Sequence, residues 1–181
     1  GAEPIREALN GILAMTERQQ IIDALAQLHT DGIGVFFAAY PAADLADSNM
    51  TILYMEQSGL GMGNRDYFVD EKNADKKAAY VAYLEKIFTL AGVEGDIKQM
   101  VESVVALEDR IAEKHWSNVE CRDIQKGYNP FTYEDFKAKF GVVNWDNYFA
   151  AMGLNEVGKL VVSQPSSFQN ILEVINTADV E

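Results

Sequence analysis

The chain has 181 residues, 48% hydrophobic and 24% charged, enough to bury a sizeable core. Its 28 acidic against 15 basic residues give a net charge of −13, which repels phosphate backbones and disfavours nucleic acid as a partner. The single cysteine, Cys121, rules out an intramolecular disulfide and leaves little from which to build a cysteine-based zinc site.

No run approaches the about 20 apolar residues of a membrane-spanning helix, and no basic-then-apolar signal peptide opens the chain. Gly1 reads as left over from a truncation, with the natural N-terminus and any targeting signal upstream. Residues 3 to 14 predict a short helix with Pro4 in its first turn. Thr16 and Gln19 then match a capping box, and Ile21, Ile22, Leu25 and Leu28 fall at helical spacing up to Gly32. Residues 33–40 are aromatic and β-favouring, residues 41–49 form an Asp-rich loop, and residues 51–57 are a second β-favouring run. Together they predict an antiparallel pair.

Residues 73–91 carry a helical stripe of Tyr80, Tyr83, Leu84, Ile87, Phe88 and Ala91, stopped by Gly92. A second helix, from about Glu94 to Lys114, has Ile97, Met100, Val101, Val104, Val105, Ile111 and Ala112 on one face. Tyr128-Asn129-Pro130 reads as a turn, Thr132 and Asn144 as caps of two short helices, and residues 159–163 as a strand or extended segment. Pro165 opens a last helix with Phe168, Ile171, Leu172 and Ile175 on one face. The expected fold is mainly α: a helical domain of residues 1–181 with a small antiparallel β element near residues 33–57.

The most distinctive stretch joins these two regimes: Ser58-Gly59-Leu60-Gly61-Met62-Gly63-Asn64-Arg65-Asp66-Tyr67-Phe68. Its glycine spacing fits neither G-x-G-x-x-G nor a phosphate loop ending in Gly-Lys-Ser/Thr. It reads instead as a tight turn at which backbone approaches backbone, with Arg65 and Asp66 pinning neighbouring segments by charge-assisted hydrogen bonds. Glu108 sits on the apolar stripe of its helix, where a carboxylate needs a cation or several donors. Arg65 or Arg122 is the expected partner, in a buried clasp between the Glu108 helix and the segment carrying that arginine.

Other chemistry finds little support. His29 and His115 lie outside any H-E-x-x-H pattern and read as partners of helix C-termini. Cys121 has Glu120 and Asp123 to raise its pKa and only Arg122 to lower it. No G-x-S-x-G is present, and acidic pairs such as Asp44 and Asp47 read as a solvated loop. No catalytic and no metal-binding residue is assigned.

The order of features resembles the neprilysin family of zinc metalloendopeptidases, nearer its bacterial endopeptidase O branch. The resemblance is carried by the Gly59–Phe68 stretch with Gly59, Gly61, Arg65, Asp66 and Tyr67. It continues through the tyrosine-rich helix, Leu107-Glu108-Asp109-Arg110-Ile111-Ala112, Arg122-Asp123, Trp145 with Tyr148-Phe149, and Val161-Val162. It implies an N-terminal, non-catalytic region of a longer peptidase that cleaves small peptides. This part would wall the substrate cavity, restrict substrate size and be inactive alone. The family's H-E-x-x-H, E-x-x-x-D and Asn-Ala motifs are not in this chain, so no catalytic residue is carried over and zinc belongs to the full-length enzyme. The partners so implied are the catalytic domain of the same polypeptide and peptide substrates, in an extracytoplasmic location. The residues alone also accommodate a self-contained acidic helical binding domain or a carboxylate-based hydrolase.

Overall fold

The computed structural model describes residues 1–180. The chain runs α1 (Glu3–Leu13), α2 (Arg18–Thr30), β1 (Phe37–Ala43), β2 (Thr51–Gln57), α3 (Asp66–Val69), a 3-10 turn at Glu71–Asn73 and α4 (Ala74–Ala91). It continues with α5 (Ile97–Ala112), α6 (Asn118–Cys121), β3 (Pro130–Thr132), α7 (Tyr133–Lys139), α8 (Trp145–Ala151), β4 (Lys159–Val162) and α9 (Pro165–Thr177). The fold is mainly α with a small β element, as expected.

The β element is larger than the pair read from the sequence. β1 and β2 are antiparallel, from Phe37 opposite Gln57 to Ala43 opposite Thr51. β4 then pairs parallel to β2, and β3 antiparallel to β4, in the order β1-β2-β4-β3. β4 is interior, and Leu160, Val161 and Val162 are fully buried, which suits its β-branched run. The first strand is also displaced. It starts at Phe37, because Phe36 takes a left-handed φ of 61° that interrupts an extended entry. It runs on through Pro41, which an edge strand tolerates because a missing N–H there costs no ladder bond.

Aromatic rings make the core. Phe37, Phe136, Phe140, Trp145, Phe149 and Phe168 are all essentially inaccessible. Trp145 stacks on Phe168 at 5.9 Å, and its Nε1 donates to the Phe140 carbonyl at 2.6 Å, so the ring is buried with its donor satisfied. The buried face of α9 supplies Phe168, Ile171, Leu172 and Ile175. Arg18 at the start of α2 donates to the Ile175 and Ala178 carbonyls, closing the C-terminal end of α9. α2 begins one residue later than its sequence pattern suggested: Gln20, not Gln19, accepts from the Thr16 and Glu17 backbone N–H groups.

α4 departs from the expectation raised by its stripe. None of its residues is buried, and Tyr83 and Leu90 are 56% and 67% exposed. It packs on α5 and α3 at the edge of the molecule, joined by Lys77 to Asp109 at 2.6 Å.

Asp44 also departs from its reading as part of a solvated loop. It is 4% exposed, accepts from Lys159 Nζ and from Tyr128 Oη at 2.6 Å each, and takes the Ala46 N–H at 3.0 Å. The cluster ties the β1–β2 loop to β4 and to the segment before β3. Lys159, followed by Tyr128, holds the Asp44 carboxyl down at about 2. An unfolded aspartate titrates near 3.9, so this group stabilises the fold above about pH 4 and its contribution is lost as pH falls towards 2. Asp44→Asn should flatten that acid limb in a plot of Tm against pH. A variant whose acid limb matched the parent protein's would refute the assignment.

Candidate functional site

The sequence between β2 and α3 folds into a compact turn. The Gly63 N–H donates to the Leu60 carbonyl at 2.8 Å, and Gly59 and Gly63 have φ values of 86° and 73°. Gly59 lies against the Phe36 backbone, so a β-carbon would overlap the Phe36 nitrogen and come within 2.7 Å of its Cα. Gly61 is pressed between Tyr80 of α4 and Glu108 of α5, where a β-carbon would overlap the Tyr80 hydroxyl and stand 3.0 Å from Glu108 Oε1.

Glu108 is 7% exposed and does join the turn to its helix, but through different partners from those expected. Its Oε1 accepts from the Gly61 N–H at 2.6 Å and from the Tyr80 hydroxyl at 3.2 Å. Oε2 is buried with no hydrogen-bond partner among the described residues. Burial pushes the Glu108 pKa up, while the Gly61 and Tyr80 donors act to lower it. Arg65 reaches the same helix elsewhere: its Nε donates to the Ala112 carbonyl at 3.3 Å in the last turn. Neutral donors at short range replace the expected arginine because Gly61 has no side chain to keep α5 away.

Arg122 is exposed, and no hydrogen bond or ion pair of its side chain occurs among the described residues, so it takes no part in the clasp. Asp66 contributes through its backbone rather than its carboxylate. Its carbonyl accepts from Asn73 Nδ2 at 2.9 Å, and its N–H donates to Asn64 Oδ1 at 3.0 Å. The Tyr67 ring lies 5.0 Å from Lys76 Nζ. The structure thus brings Gly59, Gly61, Arg65 and Glu108 together, with Asp66 and Tyr67 opening α3 beside them.

The histidines are not helix-end cations. His29 Nε2 lies 2.9 Å from the Val35 carbonyl, and Nδ1 lies 2.6 Å from the Tyr148 hydroxyl. A neutral ring meets both partners, donating to the carbonyl and accepting from the hydroxyl, and burial lowers its pKa. Burial, aided by Arg65, lowers His115 to about 4. The Cys121 thiol is raised, chiefly by burial and then by Glu56 and Glu120, which argues against an activated nucleophile. Among the described residues no group of three or more His, Cys, Asp or Glu side chains could hold a metal ion. The residues present therefore do not fit zinc.

Two features had no local signal. Gln57 spans to the segment after α5, accepting from the Trp116 N–H at 2.7 Å and donating to the Trp116 carbonyl at 2.9 Å. Gln164 Oε1 accepts from the Gln57 N–H at 2.9 Å, bringing α9 to the same junction. These pairs are 59 and 107 residues apart, beyond any helix or strand period.

A graded loss of stability is expected along the turn. Gly59→Ala combines positive φ with backbone overlap and should cost about 3 kcal/mol or more. Gly61→Ala displaces Tyr80 and should cost about 1–3 kcal/mol. Gly63 has open space, so its alanine variant should lose only about 1 kcal/mol. Denaturant titration of the three variants checks that order. Glu108→Ala strands the Gly61 N–H and should cost about 2 kcal/mol or more. Unchanged thermal stability in Glu108→Ala would refute the clasp. Because the folded Glu108 pKa is raised, its contribution to stability declines as pH rises from the ordinary carboxylate value through the folded one. Glu108→Gln should remove that slope, which is opposite in sign to that of Asp44.

Comparison with known proteins places this architecture. The sequence profile of peptidase family M13, for its N-terminal region, matches residues 1–181. Endothelin-converting enzyme 1 of Cavia porcellus is 26% identical over 151 residues, covering 80% of this chain and 20% of that protein. Neprilysin-1 of Caenorhabditis elegans is 29% identical over 123 residues, covering 62% of this chain and 16% of its own. The zinc metalloprotease Zmp1 of Mycobacterium tuberculosis, solved with an inhibitor, superposes with a TM-score of 0.89 at 27% identity, over 99% of this chain and 28% of that one. PepO of Lactobacillus rhamnosis shares the fold with a TM-score of 0.73 at 20% identity. The chain spans about one fifth of the length of the curated relatives it matches. It belongs to peptidase family M13, as part of that family's N-terminal region.

Proposed function

We propose that this chain is the non-catalytic N-terminal part of a zinc-dependent metalloendopeptidase that cleaves small peptides. The observation that carries this reading is the superposition of 99% of the chain on 28% of a zinc metalloprotease. Zinc binding and peptide hydrolysis then belong to the remaining polypeptide. This part walls the substrate cavity and restricts the size of what enters, and alone it is inactive.

Its surface supports a partner in the same polypeptide. Ile5, Ile12 and Leu13 of α1 and Tyr83, Ile87 and Leu90 of α4 are exposed, and neither helix buries a residue. The catalytic domain is the partner assigned to these two helices. Nucleic acid is not a partner, in keeping with the charge of −13. No helix among the described residues is long and apolar enough to cross a membrane. An extracytoplasmic location is proposed from the family resemblance.

Peptidase assays on the complete polypeptide and on residues 1–181 test the reading. The complete protein should hydrolyse a short peptide, lose that activity to a chelator, and spare the same sequence inside a folded protein. Residues 1–181 should be inactive. Chelator-sensitive hydrolysis by residues 1–181 alone would overturn the division of labour. Equal cleavage of the free and the folded substrate would overturn the size filter.

A further inference from the structure

Beside the glycine turn is a hollow that the clasp does not use. It has a volume of about 120 Å³ and is lined by Gln57, Ser58, Asn64, Arg65, His115 and Asn118, among others. That space holds several waters and admits a carboxylate group.

One of its walls carries an uncommitted cation. His115 is 7% exposed, and its Nε2 is buried with no hydrogen-bond partner among the described residues. No water-sized group in the hollow reaches that nitrogen, so the His115 ring is a wall and Arg65 is the group left to bind. Among the described residues, Arg65 binds through Nε alone, to the Ala112 carbonyl. No carboxylate lies within ion-pair distance of its guanidinium among the described residues, in a chain with 28 acids. Lys77 and Lys159, by contrast, each hold an aspartate at 2.6 Å. The free edge of a guanidinium is a planar fork whose spacing matches the two oxygens of a carboxylate.

We infer that the hollow between the glycine turn and the His115–Trp116 segment is a carboxylate-binding site. Arg65 supplies the fork, and His115 shapes the wall beside it. Asn64, Asn118 and Gln57 supply neutral polar surface, which suits a small anion better than an apolar group. The carboxylate comes either from a small molecule or from an aspartate or glutamate in the part of the polypeptide beyond this chain. The site rests on this chain's own residues, so its failure leaves the peptidase reading untouched.

The complete polypeptide tests it, with acetate as the probe. Ligand-detected NMR should show saturable acetate binding that Arg65→Gln weakens by about tenfold to a hundredfold. Arg6→Gln, on α1 and away from the hollow, should bind as the parent does. Asn118→Asp places a carboxylate on the rim without touching the Arg65 contact to Ala112, and should also exclude acetate. If the parent binds no acetate, a crystal structure of the complete polypeptide should show an Asp or Glu oxygen at the Arg65 guanidinium, which assigns the internal source. No acetate binding together with no carboxylate at Arg65 would overturn the inference, as would acetate binding unchanged in both Arg65→Gln and Asn118→Asp.

Discussion

The hydrogen bond from the Gly61 N–H to the Glu108 carboxylate is the contact on which the joint between sheet and helices depends. It brings a backbone segment against the middle of α5, so closely that a side chain at position 61 would have to displace Tyr80. It also gives a buried carboxylate a donor where the apolar stripe would otherwise reject it. Tyr80 reaches the same oxygen from α4, so three elements meet at one atom. The constraint extends backwards. With Gly61 fixed, Gly59 is held against the Phe36 backbone, and Phe36 is the residue whose left-handed φ sets the entry to β1.

The basic residues show how an acidic chain uses few cations. Lys159 gathers Asp44 and Tyr128, Lys77 ties α4 to Asp109 of α5, and Arg18 closes α9. Each sits where elements distant in sequence meet, and each is partly withdrawn from water, where a charged hydrogen bond counts for more than on an open surface. Arg65 differs, since its one bond among the described residues leaves most of the guanidinium uncommitted.

The packing has a dense and a sparse side. The aromatic cluster around Trp145 and Phe168 is closed on all faces, whereas α1 and α4 bury no residue. A helix with a long apolar stripe and no buried position gains little from the folding of this chain alone, since most helical stability comes from packing an amphipathic face. That imbalance accords with the proposed role as one part of a longer peptidase.

Much of this was legible from residue order. Val101, Val105, Ile111 and Ala112 announced the buried face of α5, Asn144 and Thr132 announced their caps, and the glycine spacing announced a joint that is not a phosphate loop. The misfit of Glu108 on an apolar stripe pointed to a buried polar contact. Its partners were beyond reach, because a backbone N–H leaves no mark in a sequence and a charged residue nearby does. Hence Arg65 and Arg122 drew the expectation, while Gly61 and Tyr80 hold the carboxylate. Asp44 and Lys159 lie 115 residues apart, and β4 became a central strand only by finding β2 and β3. Local periodicity and turn chemistry act over a few residues, so the sequence by itself determined the longer helices, the caps at Thr132 and Asn144, and the family. Which of those surfaces meet, and which polar atoms are left without a partner, was decided only when distant segments packed together.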